Sequence, residues 1–398
     1  MNDSSSRLWT KQFVAIVMMA FLFFLSLQLL TAGYPAFITE VKNNPTEGGL
    51  MTTVFMLAAI FTRPLIGYLI HQVNIKLLSV LSFAFVAITV GLSYGQESIP
   101  FLILLRIFHG IGFGIMSTVL ATMATNIIPK KKLGEGIGYY GLATSVGTSM
   151  GPMLGLAVLQ YFSFNLLLII SALLAVITLI LSFTIKKPQP TAAPKKMEKG
   201  SFKKYAFDKT AFVPCILTAF FTITLGGVIS FLRELGKEEN ISGSVSLFFL
   251  VMAIVMVVAR PISGRLFDTF GHKLIIYPST ISGIIGLFLL AITHNSWMLI
   301  LAGLFYGIAY GTVTPTLQAI AVSIVAKDKQ GTANAMYFSS MDLGMAIGST
   351  GLGLLASYTG YHFIYGFSIV CLVALLIVYT LLFGRKKSLD VSPATQNM

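Results

Sequence analysis

Residues 63–77 read RPLIGYLIHQVNIKL, and residues 260–274 read RPISGRLFDTFGHKL. The two stretches align without a gap at an offset of 197 residues: Arg63-Pro64 returns as Arg260-Pro261, Gly67 and Leu69 as Gly264 and Leu266, Lys76 and Leu77 as Lys273 and Leu274. The register holds well beyond them. Gly110 and Gly114 return as Gly307 and Gly311, Gly134 and Tyr140 as Gly331 and Tyr337, Gly147 and Gly151 as Gly344 and Gly348. Six glycine pairs coincide, where chance gives roughly one. Self-similarity at a fixed offset marks a duplicated unit, so both halves should carry the same elements in the same order.

Composition says what those elements are. Of 398 residues, 56% are hydrophobic and only 10% charged, with a mean hydropathy of +0.84. A soluble domain carries about a quarter charged residues, so this balance calls for lipid as the solvent. Twelve apolar runs are expected to cross the bilayer: 12–35, 49–70, 77–95, 99–128, 136–159, 163–185, 209–233, 245–266, 274–293, 297–325, 333–357 and 362–384. The expected fold class is therefore an all-α membrane protein, with twelve transmembrane helices in two six-helix pseudo-symmetric bundles. Residues 1–185 and 209–385 are the expected bundles, 186–208 a basic cytoplasmic linker rich in Pro and Lys, and 386–398 a cytoplasmic tail.

A net charge of +13 could suggest nucleic-acid binding, but the lysines sit in short loops between apolar runs. With the N-terminus in the cytoplasm, every loop Lys and Arg except Lys42, Arg233 and Lys237 falls on the cytoplasmic side, as the positive-inside rule requires. Both termini are thus expected in the cytoplasm, in the inner or plasma membrane, with the lipid bilayer and no nucleic acid as partner. The first apolar run, Phe13 to Tyr34, is too long for a signal-peptide core and reads as a retained helix. Cys215 and Cys371 both lie in apolar runs and give neither a disulfide framework nor a metal spacing. The chain carries no H-E-x-x-H, no G-x-S-x-G and no phosphate-binding loop. No metal, no cofactor and no enzymatic activity is expected. Parallel repeats relate through an axis along the membrane normal, with a substrate pathway expected between the halves near mid-membrane.

These features resemble the major facilitator superfamily over nearly the whole chain. The family element G-x-L-x-D-x-x-G-[RK]-[RK] is matched between the eighth and ninth runs by Gly264, Leu266, Asp268, Gly271 and Lys273. In the first half, Gly67 and Lys76 keep their places, while His71 replaces the aspartate and Asn74 the glycine. The resemblance implies a gating role: the glycine admits close helix approach, and the carboxylate caps a neighbouring helix N-terminus. His71 cannot supply that carboxylate, so a weaker latch is expected there, with passive replacement and pH sensing as alternatives. Arg106-Ile107-Phe108-His109-Gly110 resembles the R-x-x-Q-G element, whose arginine is linked to proton coupling in relatives. Gly147, Gly151, Pro152 and Gly155 match the antiporter pattern G-x-x-x-G-P-x-x-G, which accompanies export and whose glycine ridge is implied to seal the interface between the halves.

Proton-coupling candidates are therefore Arg106, His109 and Asp342, the last a carboxylate set well within the eleventh run. Helical spacing sets Asp342 away from the face of Gly344. Arg63 and Arg260 are expected to snorkel unless the following proline turns them inward. Candidate cavity residues are Gln28, Thr31, Tyr34, Arg63, Arg260, Tyr306, Tyr310, Thr314 and Gln318, with Thr222 and Thr224 beside them. The implied function is proton-coupled export of a small-molecule substrate, of the drug:proton antiporter type, by a monomer. Export of a polar or anionic metabolite is the alternative, since arginines outnumber carboxylates at membrane depth. Nutrient import and a receptor without transport are less well matched.

Overall fold

The computed structural model describes residues 7–42, 45–96, 98–185 and 206–384. The linker beyond residue 185 and up to residue 205, and the tail from residue 385, lie outside the described residues. In lipid a spanning segment must satisfy its own backbone hydrogen bonds, which leaves the helix as the form these apolar runs adopt. Among the described residues twelve long helices follow: α1 (Lys11–Lys42), α2 (Pro45–Leu69), α3 (Ile75–Leu92), α4 (Ile99–Ile127), α5 (Leu133–Tyr161), α6 (Phe164–Thr184), α7 (Lys209–Glu238), α8 (Ser242–Phe270), α9 (Lys273–Ala291), α10 (Ser296–Ser323), α11 (Gln330–Thr359) and α12 (Tyr361–Tyr379). Eleven of them are both long and apolar enough to span a membrane. The remaining one, α11, has the length but is interrupted by serines, glycines and Asp342.

Ends are set by local chemistry. Asn74, Ser163 and Asn295 cap α3, α6 and α10 by accepting backbone N–H bonds from Lys76, Leu166 and Met298 at 2.9, 3.2 and 2.9 Å. Gly271 (φ 78°) and Gly360 (φ 83°) stop α8 and α11 in a left-handed conformation open to glycine. Because no breaker stands between residue 266 and Gly271, α8 continues past the expected end near residue 266. Asp268 consequently lies on its last turn, not in the following loop, and Gly264 lies within the helix as expected. Similarly α1 runs on through Pro35 to Lys42.

Contacts divide the described residues into two units. One holds α1–α4, α5 from Ala143, α6, and the segment Ala326–Met336. The other holds Pro129–Leu142, α7–α10, and the chain from Tyr337 onward. Inside the first, α2 packs on α4, α1 on α6, and α3 on α4 and α6, with α1 also touching α2 and α4. Inside the second, every one of these pairings recurs six helices later: α8 with α10, α7 with α12, α9 with α10 and α12, and α7 with α8 and α10.

The repeat glycines explain the pairings. A side chain at Gly114 would come within 2.9 Å of the Ala59 carbonyl, so α4 and α2 meet backbone to backbone. Gly307 and Gly311 do the same on α10, where an added carbon would lie 2.9 and 3.0 Å from the α8 Cα atoms of Met252 and Met256. Such approach maximises dispersion and weak backbone contacts where lipid removes the hydrophobic drive. On α11, Gly344 and Gly348 lie against Ala219 and Ile223 of α7.

This packing makes a differential prediction. A side chain at Gly348 would strike the Ile223 carbonyl, while nothing lies within 4 Å of the corresponding point at Gly351. Gly348→Val should lower the thermal midpoint in detergent by the equivalent of about 1–3 kcal/mol. Gly351→Ala should leave it unchanged or raise it, by up to about 1 kcal/mol. Fluorescence-detected melting of the purified variants checks both.

Candidate functional site

In the first unit α4 carries Arg106 and His109 one turn apart, both fully buried. The Arg106 guanidinium lies 4.2 Å from the Phe55 ring centre and 5.2 Å from that of Tyr34. Its Nη2 donates to Thr31 Oγ1 at 3.1 Å, and that hydroxyl donates onward to the Leu27 carbonyl at 2.9 Å. Nε and Nη1 find no hydrogen-bond acceptor among the described residues. A charged side chain at mid-bilayer costs about 2.5–3.5 kcal/mol on insertion scales. A desolvated cation–π contact returns about 2 kcal/mol, and one charged hydrogen bond about 1.5–3 kcal/mol. The charge is thus roughly offset, yet two donors stay available to an incoming acceptor. His109 sits 5.8 Å ring to ring from Tyr34, with the Thr89 backbone as a polar neighbour.

Arg63 and Arg260 do not snorkel. Arg63 is fully buried, with its guanidinium 5.4 Å from the Phe113 ring centre. Arg260, 6% exposed, lies 5.6 Å from the ring centre of Tyr310. The inward turn follows from space: Gly141 leaves room for the Arg260 guanidinium, and Gly138 for its carbonyl.

Around Arg260 the second unit gathers aromatic and hydroxyl groups. Phe221 stacks on Tyr306 and Tyr310, with centroids 5.9 and 6.2 Å away. Tyr306 pairs with Thr224 at 2.8 Å and is wholly buried, as befits a packing residue. The Tyr337 hydroxyl donates to the Thr314 carbonyl at 3.1 Å. Gln318 and Asp342 are buried, 5% and 8% exposed. Asp342 and Gly344 are both covered, with exposed Leu343 between them. Gln28 is half-buried on α1 beside Gly151. The rings of Phe55, Phe113 and Phe221 are not distinguishable in sequence, because an aromatic in an apolar run reads equally as lipid-facing.

The α5 ridge is laid on α1 within the first unit. Carbons added at Gly147 and Gly155 would lie 2.8 and 2.7 Å from the carbonyls of Phe21 and Leu29. Pro152 stands inside the same helix, next to Gly151.

The repeated element behaves differently in its two copies. Asp268 accepts from the backbone N–H groups of Gly134 (2.7 Å) and Glu135 (2.8 Å), the first turn of α5. This places negative charge at the positive end of a helix dipole, and Gly264 allows it by meeting Gly134 backbone to backbone. Arg265 reaches Glu135 and Tyr139, both at 3.1 Å, near the surface, a contribution of at most about 1 kcal/mol. In the other copy, His71 Nε2 lies 2.8 Å from Thr332 Oγ1 on α11. Position 332 is the repeat equivalent of 135. Burial holds the His71 imidazole below its ordinary pKa, with Asp328 opposing and Lys329 adding to the effect. The ring is therefore neutral at neutral pH and meets a side-chain hydroxyl of α11, where Asp268 accepts from two backbone N–H groups of α5. Lys76 donates to the Phe183 carbonyl at the C-terminus of α6 (3.1 Å), and Lys273 is the first residue of α9.

Opposite substitutions at these two positions should have opposite effects. Asp268→Asn should destabilise by about 1–2 kcal/mol, the value of a cap. His71→Asp should restore a carboxylate before the α11 N-terminus and stabilise by about 1 kcal/mol. Thermal melting in detergent at neutral pH measures both.

The Major Facilitator Superfamily profile matches residues 16–294 and 243–397. The multi-drug resistance efflux pump PmrA of Streptococcus pneumoniae is 24% identical over 87% of this chain and 89% of its own length. The riboflavin transporter RibZ of Clostridioides difficile is 23% identical over 81% of this chain and 82% of its own. Among solved structures, the E. coli transporter FucP superposes with a TM-score of 0.76 at 14% identity, over 94% of this chain and 99% of that one. Profile, repeat and helix order agree: the chain is a multi-pass membrane transporter protein that belongs to the Major Facilitator Superfamily.

Proposed function

We propose that the protein exports small organic molecules in exchange for protons, by alternating access. The observation that carries this reading is the α5 ridge. Gly147, Gly151 and Gly155 press on the α1 backbone in the glycine–proline pattern of facilitator antiporters. Similarity to the efflux pump PmrA supports the same direction.

Proton coupling in this reading rests on Asp342, a carboxylate 8% exposed at membrane depth. Ionised, it favours a conformation that wets it; protonated, it tolerates one that does not. Binding a proton therefore biases the balance between two states, which is all that coupling requires. Arg106, with His109 beside it, supplies fixed positive charge and two unmatched donors. The proposed substrate contacts are Gln28, Thr31, Tyr34, Arg63, Arg260, Tyr310, Thr314 and Gln318. Tyr306 acts behind them by holding Phe221. The proposed organisation keeps 1–185 and 209–385 as the two moving bundles of a monomer, with both termini in the cytoplasm.

A second reading concerns the cargo. Three buried guanidinium groups, Arg63, Arg106 and Arg260, each lie over an aromatic ring. Planar cations on aromatic faces suit an anionic or polar metabolite better than a cationic drug.

Inverted membrane vesicles test both readings, with pooled cationic, neutral and anionic compounds and a dye that reports the proton gradient. A transported compound should dissipate the gradient. Asp342→Asn should abolish that response with normal membrane insertion. Arg106→Ala should reduce transport about tenfold or more, as expected for losing a charged contact of about 1.5–3 kcal/mol. Full activity in both variants excludes the assignment of these residues.

A further inference from the structure

At one end of the second unit, three metal-ligating side chains converge from separate elements. Glu239 follows the last residue of α7, His294 lies in the turn between α9 and α10, and His362 is the second residue of α12. The Glu239 carboxylate lies 2.8 Å from His294 Nδ1 through Oε2 and 2.8 Å from His362 Nε2 through Oε1. The two imidazole rings are 5.3 Å apart. All three ligating atoms lie within 4.8 Å of one another.

The ring of His362 is fixed by its other nitrogen. Nδ1 lies 3.0 Å from the Ala291 carbonyl, and a carbonyl only accepts, so Nδ1 carries the hydrogen. In the neutral ring Nε2 then presents a lone pair to a carboxylate 2.8 Å away. Two electron-rich atoms facing each other at this distance need a positive centre between them. A backbone carbonyl that orients an imidazole in this way is the usual outer support of a metal-bound histidine.

We propose that Glu239, His294 and His362 form a binding site for a borderline divalent cation, Zn²⁺ in the first instance. Two imidazole nitrogens and one carboxylate oxygen are a familiar three-ligand zinc set, with water or an outside ligand in the fourth position. Tetrahedral coordination at about 2.0–2.2 Å separates ligand atoms by about 3.4 Å, so side-chain rotation accommodates the ion without backbone movement. The nitrogen donors select against Ca²⁺ and Mg²⁺, and the absence of thiolate from the set selects against Cu⁺. His294, its side chain 70% exposed, leaves the ion open to the medium. In the orientation expected from the lysine distribution this end faces the cell exterior. A bound ion would clamp the end of α7 to the α9–α10 turn and the start of α12, so its effect is to brace this unit. The site stands apart from the transport residues proposed above, and its test does not depend on them.

The test uses the full-length protein in detergent with its purification tag removed, and ZnCl₂ alone as ligand. After gel filtration, elemental analysis should find one zinc per chain, and zinc should raise the melting temperature. Co²⁺ in its place should give the strong visible absorption of a four-coordinate site. Glu239→Gln and His294→Ala should each weaken binding by tenfold or more and abolish the zinc-dependent rise in melting temperature. His294→Ala alters an exposed side chain, so it keeps the test valid if Glu239→Gln folds poorly. Failure of the native protein to retain zinc, or equal retention by His294→Ala, overturns the proposal. Either result would mean that protons alone hold the three side chains together.

Discussion

Lipid tails are as apolar as leucine, so burying an apolar face gives these helices no reason to meet. What holds each unit together is close backbone approach, and glycine is what permits it. Gly114 against Ala59 and Gly307 against Met252 set the α4–α2 and α10–α8 contacts; Gly147 and Gly155 set the α5–α1 contact. Once these helices meet at backbone distance, the positions of their side chains are no longer free. Phe55 is brought beneath Arg106 because Gly110 abuts the Phe55 carbonyl. The same logic places Met252 and Met256 under α10 in the second unit.

Tight packing also decides the fate of the charges. A surface arginine at a helix end can stretch its stem toward the headgroups. Arg63 and Arg260 have no such route, because each is enclosed and meets an aromatic face first. The repeated element at the end of α8 shows the complementary solution. There the charge of Asp268 is met by the backbone N–H groups of an α5 N-terminus, which costs no counter-charge at all. Charge is accepted in this protein where a fixed dipole or a ring is already waiting.

The fold was legible in the sequence because hydropathy and the glycine register both act over long stretches. Twelve apolar runs give the helices, and the offset of 197 residues gives their order. Helix ends were less legible: α8 passes through the expected boundary because only Gly271 can stop it. The candidate site was readable for its ionisable members, Arg106, His109 and Asp342, since such residues are rare in apolar runs. Their partners were not. Phe55 and Phe113 have no local feature that separates a ring under a guanidinium from a ring in lipid. Glu239, His294 and His362 come from three helix ends and share no spacing, so only folding brings them together.

The repeat also separates scaffold from specialisation. Glycines, the Arg-Pro pair and Lys76 with Lys273 persist across it, whereas four other ionisable positions diverge. Position 106 is Arg but its equivalent, 303, is Gly; 109 is His against Tyr306; 342 is Asp against Ser145; 268 is Asp against His71. Had these groups served packing, the two units, with the same helix pairings, would have needed them twice. Gly303 shows the point directly. In the place of Arg106 it meets the Phe248 carbonyl at 2.8 Å from an added carbon, so the second unit closes the very space that the first keeps for a guanidinium. The shared helix pairings therefore do not require an arginine at this position, and a buried charge of that cost in only one of two equivalent units is what makes Arg106 a candidate for the proposed function.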